Sequence, residues 1–243
     1  MFSPAFRSVP PFVRLQMTSE VTEWTLELPS DSTDNEAPPF ELVYHSYTKF
    51  EQQEQEGDTP SSNPSVLFLC DRPFDAALLT DESHPWVQLA RELNGALWAL
   101  ELRGCGKSKL PKGQKAEKLV DAHLEDVSRV IDNIVDEFGP REWIFVGREF
   151  GGSLAFWSRL TKPKVAAAAL VLDPDVSLLG EYGGKKVGEY DTTNIVLATS
   201  GAGVAALRKF ADKHGLEKLV LVEEKQTKTI VDHLKFAVGR GGE

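Results

Sequence analysis

The sequence predicts an α/β protein with a mainly parallel sheet of about eight strands and helices on both faces. Three observations carry this. Short β-rich apolar runs take turns with longer segments whose apolar residues recur at helical spacing. The run 65–70 (SVLFLC) is continuously apolar, the form expected of a strand buried on both faces of a parallel sheet. Glycines cluster at 147–152, where a predicted strand passes into a predicted helix.

Residues 21–28 and 40–48 alternate as strands and are expected to pair as an antiparallel hairpin. The stretch 51–64 (EQQEQEGDTPSSNP) is polar, charged and ends in proline, so it reads as a solvated loop. Strand 65–70 follows, then a helix over 84–93, strand 95–102 and a loop rich in Gly, Lys and Pro. Between 117 and 138, Val120, Leu124, Val127, Ile131, Ile134 and Phe138 fall on one helical face, and Gly139-Pro140 stops that helix. The alternation continues as strand 143–146, helix 151–160, strands 165–172 and 194–199, helix 204–214, strand 219–223 and helix 227–238. No repeat or composition break divides 20–243, which reads as a single domain without a cap, because the connection 175–193 is short.

The chain has 243 residues, with 27 Lys+Arg against 37 Asp+Glu and a formal net charge of −10. That charge argues against a nucleic-acid backbone or an anionic membrane surface as partner. No apolar run reaches the roughly 20 residues of a spanning helix. Cys70 and Cys105 give no disulfide framework, and no metal-ligand spacing occurs, so neither a metal nor a cofactor is expected. Residues 1–19 contain Arg7 and Arg14 and no acid, the composition of a transit segment. Pro4, Pro10 and Pro11 work against an amphipathic helix there, so a flexible N-terminus is the preferred reading, with a cytoplasmic location and a mitochondrial one as the alternative. An open strand edge near Val21 leaves a homodimer available.

In parallel sheets the chemistry lies beyond the carboxyl ends of the strands. There, Gly147-Arg148-Glu149-Phe150-Gly151-Gly152 has its glycines spaced as in G-x-S-x-G, a tight strand-to-helix turn that thrusts its middle side chain out over the sheet. Leu102-Arg103-Gly104-Cys105-Gly106-Lys107-Ser108 forms a second glycine-rich turn after a strand, and 165–174 (VAAAALVLDP) ends a third strand at Asp173. On these three motifs the chain, from about Val21 to Val238, resembles the α/β-hydrolase superfamily. Tryptophan and arginine around the elbow (WIFVGREFGGSLAFWSRL) are also similar to its serine carboxypeptidase branch, although that branch is not assigned.

The resemblance implies a nucleophile at the elbow, a histidine after the last strand and an acid after the sixth or seventh. Glu149 stands at the nucleophile position, and its extra methylene relative to Asp displaces the attacking oxygen. The stretch Glu224-Lys225-Gln226-Thr227 has no imidazole, so His233 on the terminal helix is the candidate base and Asp173 the candidate acid. Asp175 follows closely, in an Asp-Pro-Asp segment that also suits a turn. The resemblance further implies an oxyanion hole at the Phe150 amide and the loop Cys70-Asp71-Arg72-Pro73, where Asp71 opposes negative charge and Arg72 compensates it. Phe150, Asp71, Arg72, Arg148 and Cys105 are therefore the candidate ligand-binding residues, with Gly147, Gly151 and Gly152 shaping the elbow. Ser153 fits a second frame but is expected one turn inside the helix.

The expected function is that of a catalytically degenerate member binding a small molecule or protein partner at the former active-site face. The alternative is a hydrolase of ester-type bonds centred on Glu149. A third reading takes Gly201-x-Gly203-x-x-Ala206 with Glu223 as a dinucleotide fingerprint, which lacks the following half-domain such a site needs.

Overall fold

A computed structural model describes residues 16–18, 21–28, 40–47, 63–110 and 120–239. The elements are β1 (Gln16–Thr18), β2 (Val21–Leu28), β3 (Phe40–Tyr47), β4 (Ser65–Cys70), α1 (Ala77–Thr80), α2 (Pro85–Glu92) and β5 (Leu97–Glu101). They continue with α3 (Val120–Phe138), β6 (Trp143–Arg148), α4 (Glu149–Thr161) and β7 (Ala166–Leu172). A small hairpin of β8 (Glu181–Tyr182) and β9 (Lys185–Lys186) precedes β10 (Ile195–Thr199), α5 (Gly201–His214), β11 (Val220–Glu223) and α6 (Thr227–Ala237).

Among the described residues the main sheet has nine strands, in the order β1-β2-β3-β5-β4-β6-β7-β10-β11. β2 and β3 form the expected antiparallel hairpin, β3 pairs antiparallel with β5, and from β5 to β11 the sheet is parallel. The ninth strand was not expected. β1 lies inside the segment read as a flexible N-terminus and pairs with the first three residues of β2. The edge near Val21 is thus covered over those residues. Three residues are too few to show a period, and tertiary pairing decides such a strand. Residues 1–15, the loop 51–62 and the start of the helix predicted from 117 lie outside the described residues.

Every residue of β4 is buried, as a strand between parallel neighbours with helices on both faces should be. Its pleat divides the interior in two. Leu67 and Leu69 join Trp98, Phe145, Val171 and Leu197 in a core that takes the apolar faces of α3, α4 and α5. Val66, Phe68 and Cys70 point the other way, to Ile144, Val146 and Leu170 and the inner faces of α2 and α6. Each large side chain removed from water on these faces contributes about 1.5–3 kcal/mol, which locks the strand register.

Between β7 and β10 the chain makes only two short 3-10 turns, at Val176–Leu178 and Val187–Glu189, and the β8–β9 hairpin. Trp157 of α4 holds this connection down. Its indole N–H donates to the Leu178 carbonyl at 2.7 Å and its ring packs against Tyr182 and Tyr190. Among the described residues no cap domain stands over the carboxyl ends of the strands. Among the described residues no helix is long and apolar enough to cross a membrane.

Candidate active site of a hydrolase-like fold

β6 runs through Gly147 and Arg148, and α4 begins at Glu149 itself. Glu149 has φ +50°, the left-handed region that non-glycine residues rarely adopt. The strain is held by close backbone packing. A Cβ on Gly147 would lie 2.2 Å from the Gly151 carbonyl oxygen, and one on Gly151 would lie 2.2 Å from that of Leu69. Gly152 has its own constraint, at 2.9 Å from the Gly147 carbonyl oxygen. Backbone atoms of a central strand cannot step aside as a side-chain tip can. Gly151→Ala is accordingly expected to lower stability by about 1–3 kcal/mol, measured by urea denaturation.

The carboxyl end of β4 supplies the residues facing the elbow. The Phe150 amide donates to Oδ2 of Asp71 at 3.1 Å, so a carboxylate already occupies the backbone donor that follows the elbow residue. Burial pushes the Asp71 carboxyl above the usual aspartate range; the Gly151 and Phe150 amides and Arg72 oppose that rise, and Glu149 adds to it. Arg72 pairs with Glu149, both side chains being more than half exposed. Such a pair is worth little to stability but fixes where the carboxylate sits.

A second cluster stands behind the elbow. The Arg148 guanidinium donates to Asp173 Oδ2 at 2.5 Å and pairs also with Glu224, which follows β11. Asp173, itself at φ +41°, accepts the Thr199 hydroxyl on Oδ1 at 2.5 Å and the Ser200 amide at 3.3 Å. One carboxylate therefore ties together the ends of β6, β7 and β10. Asp175 takes the turn role, accepting the Ser177 amide and hydroxyl on Oδ1 at 3.1 and 2.6 Å.

The turn after β5 is bolted from below. Ser108 donates to the Glu101 carbonyl at 2.6 Å and accepts the Val43 amide at 2.8 Å, while the Glu101 carboxylate takes the Lys107 amide at 2.6 Å and His45 at 2.8 Å. Gly106, at φ +51°, is required because its Cβ would fall 1.5 Å from that carboxylate. The bolted turn presents Arg103, Gly104 and Cys105 to a cleft of about 480 Å³, lined also by Asp71, Arg72, His123, Glu149, Phe150, Asp173 and Asp175.

Three solved structures share this architecture. A cold-adapted esterase from an Arctic intertidal metagenomic library is 16% identical, with a TM-score of 0.56 over 94% of this chain and 99% of that one. An esterase of Pyrococcus furiosus is 12% identical, with a TM-score of 0.59 over 95% and 92%. A serine hydrolase without a lid from Xanthomonas campestris is 13% identical, with a TM-score of 0.52 over 92% and 96%. The fold is that of the α/β-hydrolases. The family model of serine carboxypeptidase S28 matches residues 62–172, from the approach to β4 through the elbow to the end of β7. No curated protein matches the sequence.

The structure gathers Glu149, Asp173, Phe150, Asp71, Arg72 and Cys105 around one cleft, with Arg148 bonded to Asp173 beside it. It does not bring His233. That residue lies on the exposed side of α6 beside Asp232 and lines none of the cleft, because α6 turns Ile230, Val231 and Leu234 inward. Ser153 is fully buried one turn into α4, its hydroxyl 3.3 Å from the Glu149 carbonyl oxygen. Both cysteines are free, and burial raises both thiols, so neither is an activated thiolate. Gly203 packs on Thr199, where a Cβ would meet the hydroxyl at 2.3 Å, which accounts for that glycine without a nucleotide.

Two residues that sequence reasoning left aside belong to the site. His123 is 5% exposed and lines the cleft from α3, edge-on to Phe150 at 5.1 Å. Glu224, noted only as the absence of an imidazole, fills the position after the last strand with a carboxylate aimed at Arg148. The signal for both was their place on the row facing the elbow, which the sequence alone does not align.

Proposed function

We propose that this protein is a catalytically degenerate α/β-hydrolase-fold protein that binds a small molecule or a protein partner at the former active-site face. The observation that carries the reading is the Phe150 amide bonded to Asp71. An oxyanion hole lowers a barrier by offering donors to charge that develops in the transition state, and a resident carboxylate both consumes the donor and repels that charge. Glu149 at the elbow pairs with Arg72, and the candidate base His233 lines none of the cleft.

The intact elbow, with Glu149 presented at φ +50°, is the feature favouring the alternative of an ester-type hydrolase. Turnover of short-chain p-nitrophenyl esters, measured for the wild type beside Glu149→Ala and His233→Ala, separates the two. The expected rate equals buffer in all three. Saturable turnover abolished by Glu149→Ala would establish the carboxylate mechanism instead.

A further inference from the structure

A second concavity lies outside the cleft and shares none of its lining. It is a groove of about 530 Å³ between α5 and the connection from β7 to β10. Ala206, Lys209, Phe210 and Lys213 line it from α5, at steps of three, four and seven residues that keep them on one face of the helix. Val176, Glu181 and Lys186 line it from the connection.

The lysines of this groove are unanswered within the chain. Lys186, Lys209 and Lys213 are exposed, and none makes an ion pair among the described residues, whereas Lys218, Lys225 and Lys235 pair with Asp191, Glu223 and Glu92. The Glu189 carboxylate accepts the Lys186 amide at 2.9 Å rather than its ammonium. Glu181 alone offsets the three cations in the lining. Lys213 complements the carboxyl-end dipole of α5, but Lys186 and Lys209 have no such role, and Lys209 and Lys213, four residues apart, repel each other. On a chain of formal net charge −10 the groove is a local reversal of sign.

From this arrangement we infer that the groove docks an extended acidic segment of a partner protein. Side chains at i and i+4 of a helix stand about 6 Å apart, near the roughly 6.6 Å between alternate residues of an extended chain. Two carboxylates on one face of such a segment therefore meet Lys209 and Lys213 together, and Lys186 supplies a third cation from the connection. Val176, Ala206 and Phe210 give an apolar side chain of the segment a surface to cover. Exposed charges of this kind select the partner and speed its arrival more than they tighten the complex. The groove lies apart from the cleft, so the inference stands or falls independently of the reading proposed above.

The test is fluorescence anisotropy of the full chain with a labelled heptapeptide of alternating glutamate and leucine, beside the same peptide with glutamine or lysine in place of glutamate. The glutamate peptide is expected to bind about tenfold or more tightly than the glutamine one, and to weaken when salt rises from about 20 to 300 mM. The lysine peptide is expected not to bind. Lys209→Glu combined with Lys213→Glu is expected to weaken the glutamate peptide about tenfold or more, and Lys186→Glu alone about threefold. Circular dichroism reports whether each variant is folded, and if the double variant is not, Lys186→Glu decides. No saturable binding of the glutamate peptide, equal affinity for the glutamine peptide, or unchanged affinity in the folded variants overturns the inference. So does equal affinity for an oligothymidylate of the same charge, which would make the groove a surface for any polyanion.

Discussion

Arg103→Ala is expected to destabilise the protein by about 3–5 kcal/mol, the largest loss of any single substitution near the cleft. The guanidinium reaches Asp126 of α3 with Nε and Nη2, and the two side chains are 5% and 0% exposed. It also lies over the Phe40 ring, 4.5 Å from its centroid. Removing it leaves a buried carboxylate without its bidentate partner, whose desolvation is no longer offset. Arg103→Lys keeps the charge but not the fork, and is expected to fall between the wild type and alanine. Replacing both members, by Arg103→Met with Asp126→Leu, is expected to cost less than Arg103→Ala alone. Urea denaturation of the four proteins checks this. If the double variant loses as much as Arg103→Ala or more, the pair is not the coupled unit described here.

Acid is expected to destabilise the fold through His123. In the folded chain this imidazole is held down to about 4 by burial first and by Arg103 second, against 6.5 for an ordinary histidine. The unfolded chain therefore binds the extra proton across that window. The contribution to stability is complete above the ordinary histidine value and is lost progressively as pH falls toward the folded value. By pH 5 the loss is about 2 kcal/mol, and it approaches about 3 kcal/mol once both states are protonated. Several carboxylates titrate in the same range, so the informative quantity is a difference. Denaturation free energies at pH 8 and pH 5 are expected to differ less in His123→Phe than in the wild type, by about that 2 kcal/mol. An unchanged difference would mean that the imidazole is protonated inside the fold. Because Arg103 contributes to the shift, Arg103→Lys should preserve most of the acid sensitivity.

Much of this architecture was legible before any coordinates. The continuous apolar run of β4 declared a sheet covered on both faces, since only a strand hidden from water on both sides dispenses with alternation. The apolar stripe of α3 gave its buried face, and Leu124, Val127, Ile131 and Ile134 are all in the core. The glycine spacing at the elbow was equally readable, because a backbone carbonyl 2.2 Å from a would-be Cβ tolerates no other residue. What escaped was short or long-range: β1, α1 and the β8–β9 hairpin are too brief to show a period, and tertiary packing sets them.

At the site, the sequence by itself determined which residue stands at each strand end reached by a local motif: Glu149 at the elbow, Asp71 and Arg72 after β4, Asp173 after β7. It did so because each is fixed within a few residues of a strand end. Only the tertiary structure decided what those residues do to one another. The bond from the Phe150 amide to Asp71 spans 79 residues of chain, and the reach of Arg148 to Glu224 spans 76. The choice of His123 over His233 depends on which helix face packs toward the strand ends, and periodicity names an apolar face without saying what lies opposite its edge. Such contacts are set by the order of strands in the sheet and the orientation of the helices between them, where side chains distant in sequence meet and settle their charges.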